Sequence, residues 1–143
     1  MVLDGTAQTV TAELSGYSRA DNSPKGSADV CCGVIHSEAS GTGTALDPIT
    51  AASPGSSGSM ETPAGTKIYI PKLRKYFIFE DSGATGTGAF RADLWVDGKG
   101  FPDSAAEECM SFVTGEAEVI INPSANHPVG KVGPLTGQSG CDI

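Results

Sequence analysis

Apolar and polar residues alternate along this chain in short runs, and few runs are long. Gln8 to Leu14 reads Gln-Thr-Val-Thr-Ala-Glu-Leu, a period of two that predicts a first strand continuing towards Tyr17. Lys67 to Ile70 and Tyr76 to Phe79 predict two more strands, Ala89 to Val96 another, and Glu116 to Asn122 a final one. Ala105 to Met110 predicts a helix, opened by Asp103 or Ser104 as N-cap. Pro48 is expected to end strand pairing. Ala51 to Gly65, with Ser-Pro-Gly-Ser-Ser-Gly-Ser near its centre, is expected to be a long surface loop at the rim of a cleft.

The same alternation sorts side chains by face. In the Ala89 to Val96 strand, Phe90, Ala92, Leu94 and Val96 point one way, and Arg91, Asp93 and Trp95 the other. An acid and an indole two residues apart on one face suit a sugar site. The ring offers a platform and the carboxyl a proton. Alternation likewise groups Phe77, Phe79 and Asp81 against Ile78 and Glu80. Asp81 stands where a strand exits into Ser82-Gly83. Cleavage of a glycosidic bond needs a protonated carboxyl at the leaving oxygen. Inverting enzymes add a second carboxylate about 6.5–9.5 Å away to activate water.

Composition narrows the field. The 143 residues suffice for one domain with a modest core, and they include 19 Gly and 9 Pro. That favours short strands and tight turns over long helices. No apolar run is long enough for a helical membrane span. A net charge of −8 argues against nucleic acid, which needs clustered Lys and Arg. Four cysteines in a lysine-poor, Gly/Ser/Thr-rich chain point to a secreted protein with two disulfides. Cys31 and Cys32 are expected to reach separately to Cys109 and Cys141, with the assignment open, because adjacent cysteines rarely pair. The cysteine spacing lacks any C-x-x-C pair, with His36 and His127 the only histidines, so no metal or other cofactor is expected. Nothing at Met1 reads as a signal peptide, so a mature or recombinant form is expected.

Four segments, in order, carry a family resemblance. They are Gly43-Thr44-Ala45-Leu46-Asp47, Pro63 to Pro71 (Pro-Ala-Gly-Thr-Lys-Ile-Tyr-Ile-Pro), Asp81-Ser82-Gly83-Ala84, and Ala92-Asp93-Leu94-Trp95. Together they resemble the three-aspartate domain of bacterial lytic transglycosylases across about 55 residues. The resemblance implies an all-β fold, a six-stranded double-psi β-barrel with one or two short helices. Family 45 endoglucanases, expansins and barwin-like proteins share that barrel. It implies Asp93 as catalytic acid, Asp81 as supporting carboxylate and Asp47 as the third member. The cysteine pair and the polar rim are similar to secreted fungal muramidases of glycoside hydrolase family 184.

The expectation is therefore a single catalytic domain over residues 1–143. It would act as a secreted, monomeric muramidase on the peptidoglycan glycan strand, with no membrane or nucleic-acid partner. Tyr17, Trp95 and Glu80 are the expected substrate-binding residues, and Asp81 or Glu80 is expected to raise the Asp93 pKa. An endo-β-1,4-glucanase and a non-catalytic barrel, either a protease inhibitor or an expansin-like wall protein, remain as alternatives on a fold that hosts many functions.

Overall fold

A computed structural model describes residues 6–22, 24–85, 89–97 and 99–143; Met1 lies outside them. Among the described residues the fold is mostly β, with seven strands in one sheet and a single α-helix. The strands are β1 (Gln8–Tyr17), β2 (Ile49–Ser56), β3 (Ser59–Met60), β4 (Lys67–Ile70), β5 (Lys75–Ala84), β6 (Phe90–Trp95) and β7 (Gly115–Ile121); the helix is α1 (Asp103–Val113). Sheet order is β3-β2-β5-β4-β7-β1-β6, and β2 pairs with β6 as well. The pairings therefore run β2–β5–β4–β7–β1–β6 and return to β2. Two of them are parallel, β1 with β6 and β2 with β5, and the rest are antiparallel.

Register explains the core. Ala12, Leu14 and Gly16 of β1 lie beside Phe90, Ala92 and Leu94 of β6. Ala51 of β2 lies between Leu94 and Phe79, and Ile49 lies beside Phe77. All but Gly16 are buried in one apolar cluster. α1 packs close on β1 at Gly16, where a Cβ would sit 3.0 Å from the Met110 side chain and crowd it.

The Ala51 to Gly65 segment expected to be a loop is strand in its first part, through Ser56, and again at Ser59–Met60; Glu61 to Gly65 is turn. Ile49 to Ser56 forms β2, buried from Ile49 to Pro54 and flanked by β5 on one side and β6 on the other. Low complexity here means small side chains, and a strand between two bulky neighbours needs them. Pro48 immediately precedes the strand instead of ending pairing. Only the tip of the β2–β3 hairpin is exposed. There Gly55 takes φ +108°, and a Cβ on it would lie 2.1 Å from the Ser59 carbonyl oxygen.

Two further expectations are corrected. The helix starts at Asp103 with Pro102 as N-cap and no side-chain capping bond, so neither Asp103 nor Ser104 caps it. The disulfides are Cys31–Cys32 and Cys109–Cys141, with no free cysteine among the described residues. Cys109 is buried on α1, packed with Leu135 in the apolar cluster, which brings the C-terminal tail and Cys141 to it. Cys31 and Cys32 are left to each other in a separate loop beside Asp81. Among the described residues no helix is long and apolar enough to cross a membrane.

Candidate active site

Ala52 sits at the middle of the site. It is in register with Asp81 on its β5 side and with Asp93 on its β6 side. The two aspartates thus flank one small residue, two ladder steps or about 9–10 Å apart at their Cα atoms. β5 has a register shift here, with Phe79 and Asp81 opposite the consecutive residues Ala51 and Ala52. Such a bulge re-aims a side chain. It takes Asp81 out of the simple alternation with Phe77 and Phe79 that the sequence suggests.

The two carboxylates have different surroundings. Asp81 accepts three hydrogen bonds, from the Tyr17 hydroxyl (2.9 Å), the Ser82 amide (2.9 Å) and the Cys31 amide (3.3 Å). Asp93 accepts one, from the Ser15 hydroxyl at 3.1 Å. Burial lifts the Asp93 carboxyl to about 6; the Ser15 bond opposes this, and the negative charges of Asp21 and Asp81 add to it. Burial and the Asp81 carboxylate hold the Tyr17 phenol far above its ordinary value, so it remains a proton donor to Asp81.

The structure brings Asp93, Asp81 and Tyr17 together, Asp81 by way of the bulge, and Ser15 joins them. Ser15 lies opposite Asp93 and Tyr17 opposite Trp95 in the parallel β1/β6 ladder, so period-two reading of β1 alone could have picked out Ser15. Trp95 shares the face but is no exposed platform. It is 1% exposed, edge-on to Tyr17 at 5.2 Å and covered by the Arg19 guanidinium at 5.8 Å. The ring packs beneath the acids. Among the described residues its indole N–H finds no hydrogen-bond partner.

Glu80 and Asp47 belong to a second cluster. Glu80 is fully buried. Its Oε1 accepts the amides of Val34 (3.0 Å), Ile35 (2.7 Å) and His36 (2.9 Å). Its Oε2 meets the Thr50 hydroxyl at 2.9 Å and His36 Nδ1 at 2.8 Å. His36 Nε2 reaches Asp47 Oδ1 at 2.6 Å, and Asp47 Oδ2 accepts from Thr42. Burial pulls Glu80 upward, but the His36, Ile35 and Val34 donors outweigh it and hold the carboxyl below its usual range. His36 is raised: burial lowers it, and the bonds to Asp47 and Glu80 prevail. Glu80 is therefore an anchor for the 34–36 loop, not a substrate contact, and it is not among the groups that raise Asp93. Asp47 joins the histidine, not the acid pair. His36 had no sequence signal beyond its residue type.

Of three cavities among the described residues, a single one has an aspartate of the pair, Asp81, in its lining, and Asp93 lines none of them. One of about 490 Å³ is lined by Asp81, Ser82, Cys31, Asp29, Asn22 and Ser57, among others. Another of about 400 Å³ runs from Arg19 and Asp21 to Phe101 and Met110. A third, about 540 Å³ at Glu108, Phe112 and the C-terminal tail, has neither aspartate in its lining. Among the described residues no group of three or more His, Cys, Asp or Glu is placed to hold a metal ion.

Fold and site together define a mostly β, disulfide-bonded domain with a paired-aspartate face. Residues 9–141 match the family described as the DDB_G0273701 N-terminal domain, and the chain belongs to that family. It is similar to the uncharacterized protein DDB_G0273701/DDB_G0273221 of Dictyostelium discoideum, 31% identical over 138 residues. That alignment covers 92% of this chain and 59% of the relative, so the chain spans a little over half of the relative's length. No solved structure matches the chain.

Proposed function

We propose that this domain is a secreted muramidase that cleaves the β-1,4 bond between N-acetylmuramic acid and N-acetylglucosamine in the peptidoglycan glycan strand. In this reading the six paired strands are a double-psi β-barrel. The observation that carries it is the Asp93/Asp81 pair: two carboxylates flank Ala52, and one of them is held near pH 6 by burial. A ring of six pairings that mixes parallel and antiparallel ladders supports the barrel.

Asp93 is the general acid. With its pKa near 6 it retains a proton under mildly acidic conditions and passes it to the leaving glycosidic oxygen. Asp81, ringed by donors from Tyr17, Cys31 and Ser82, is the carboxylate that orients and deprotonates the attacking water. In this reading the attacking water sits between the two carboxylates, as inverting enzymes require. No cofactor or metal takes part. Two disulfides fit secretion. The acidic net charge argues against a nucleic-acid partner. The domain acts as a monomer.

The test is digestion of purified bacterial sacculi beside a soluble cellulose, with released fragments identified by mass spectrometry. Muropeptides with free reducing ends are expected. Cellulose cleavage without muropeptide release would replace this reading by an endoglucanase, and inactivity on both by a non-catalytic domain.

A further inference from the structure

The loop Val30-Cys31-Cys32-Gly33-Val34-Ile35 is apolar and yet uncovered: Val34 is 56% exposed, Ile35 44%, and Cys31 is exposed too. It is also firmly held. The Cys32 amide donates to the Glu80 carbonyl oxygen, the Cys31 amide to the Asp81 carboxylate, and the Val34, Ile35 and His36 amides to Glu80 Oε1. Buried charge is spent here on fixing a surface that faces water.

The Cys31–Cys32 bridge does little for chain entropy. It joins neighbours in sequence, so it closes almost no loop of the unfolded chain. Its position is more telling. Cys31 lines the 490 Å³ groove together with Asp81, and Cys32 Sγ lies 3.8 Å from the Ser57 carbonyl oxygen across the groove mouth. Among the described residues that lining has no aromatic ring, lysine or arginine, and it carries two carboxylates, Asp29 and Asp81. Trp95 and Tyr17 are buried, so neither offers a free ring face. The polarizable disulfide, through Cys31, and Val30 are the apolar surface the groove has, with Asn22, Ser57 and Ser82 as polar partners around it.

We propose that the Cys31–Cys32 disulfide is the stacking wall of a sugar subsite on the Asp81 side of the acid pair, and that this subsite takes the neutral N-acetylglucosamine unit. An N-acetylmuramic acid unit would instead bring its bulkier lactyl group, amide-linked in the wall to a stem peptide that carries carboxylates, into a lining that holds Asp29 and Asp81 and no Lys or Arg. The inference rests on the glycan reading above and adds to it a residue pair and a polarity of the strand along the groove.

The experiment uses the non-cleaving Asp93→Asn protein and tetra-N-acetylchitotetraose, a neutral N-acetylglucosamine tetramer. Calorimetry gives the affinity, and amide chemical shifts map the contact. Shifts are expected at Cys31, Cys32, Ser57 and Ser82. Adding Cys31→Ala and Cys32→Ala should weaken binding about tenfold, the effect of losing roughly 50 Å² of ring burial. The shift map needs neither cysteine change, so misfolding of that variant does not decide the result. Shifts confined to the Arg19–Phe101 groove, or equal affinity in a folded double variant, would overturn the inference while wild-type cleavage of sacculi left the muramidase reading standing. Absence of both binding and wild-type cleavage would remove the two together.

Discussion

Glu80 and Asp93 are both carboxylates withdrawn from solvent near the same strands, and they are tuned in opposite directions. Glu80 receives five donors: three amides, a hydroxyl and an imidazole. They outweigh burial and keep it ionised. Asp93 receives one hydroxyl and faces two other negative charges, and burial prevails. Desolvation acts on both; the number of donors decides the sign. The difference separates an anchor from an acid. A carboxylate that stays charged can hold a loop, and one that keeps its proton can give it away.

The largest expected effect tests the acid. Asp93→Asn should lower the rate of wall cleavage by about 10²-fold or more. It should not cost stability. A carboxyl raised to about 6 from an unfolded value near 4 binds protons more tightly in the folded state. Its ionisation therefore penalises the fold as pH rises through that interval. The asparagine variant should be more stable than wild type at pH 7, by about 1–2 kcal/mol after allowance for partial solvent screening. Urea unfolding at pH 7 measures it. An active or strongly destabilised variant would give Asp93 the anchoring role and erase the contrast. For the wild type, activity carried by protonated Asp93 should fall as pH rises through about 6, which a pH–rate profile reads directly.

Glu80→Gln should do the reverse. The amide keeps the shape and loses the charge, so three amides of the 34–36 loop and the His36 ring are left with a weaker or reversed partner. A loss of about 3 kcal/mol is expected, the scale for breaking a buried charged network. Equilibrium unfolding measures it. Any change in rate should follow the loop's effect on Asp81 through the Cys31 amide. Unchanged stability would mean that the five donors contribute far less than their geometry suggests.

Much of this contrast was legible before the fold, and some was not. Strands with large alternating residues, such as β1, β4, β6 and β7, announce themselves by period. β2 does not, because Ala51, Ala52, Ser53 and Pro54 look like linker when read alone; their smallness has meaning only once β5 and β6 press on either side. Alternation put Asp93 and Trp95 on one face, but face is not exposure. What covers Trp95 is Tyr17 and Arg19, brought there by the chain's turn after β1. The motifs marked Asp81 and Asp93 well. They also grouped Asp47 with them, whereas in space Asp47 is tied to His36, whose partners are 11 and 44 residues away in sequence. Contacts of that span leave no periodic trace. The disulfide pairing was missed for a similar reason: which cysteines meet depends on where α1 meets the C-terminal tail.

The smallest expected effect sharpens the anchor side. His36 bridges Glu80 and Asp47, and its raised pKa means that the folded state favours the imidazolium. Its contribution is complete below the unfolded value near 6.5 and disappears as pH rises through the higher folded value. Glu80, with a depressed pKa, contributes above its unfolded value near 4.5 and is lost as pH falls through the lower folded one. The loop anchor is thus strongest between those limits, on the mildly acidic side of neutrality, where Asp93 also keeps its proton. Asp47 is partly exposed, its side chain at 41%, so its share is modest. Asp47→Asn should cost about 0.5–1 kcal/mol at pH 6 and less at pH 9, since the imidazolium gives up its proton as pH rises through the raised folded value. Stability measured at the two pH values gives the difference directly. An equal loss at both would mean that Asp47 acts through its bonds to Thr42 and the turn before Pro48, and that the histidine carries no charge between its two acids.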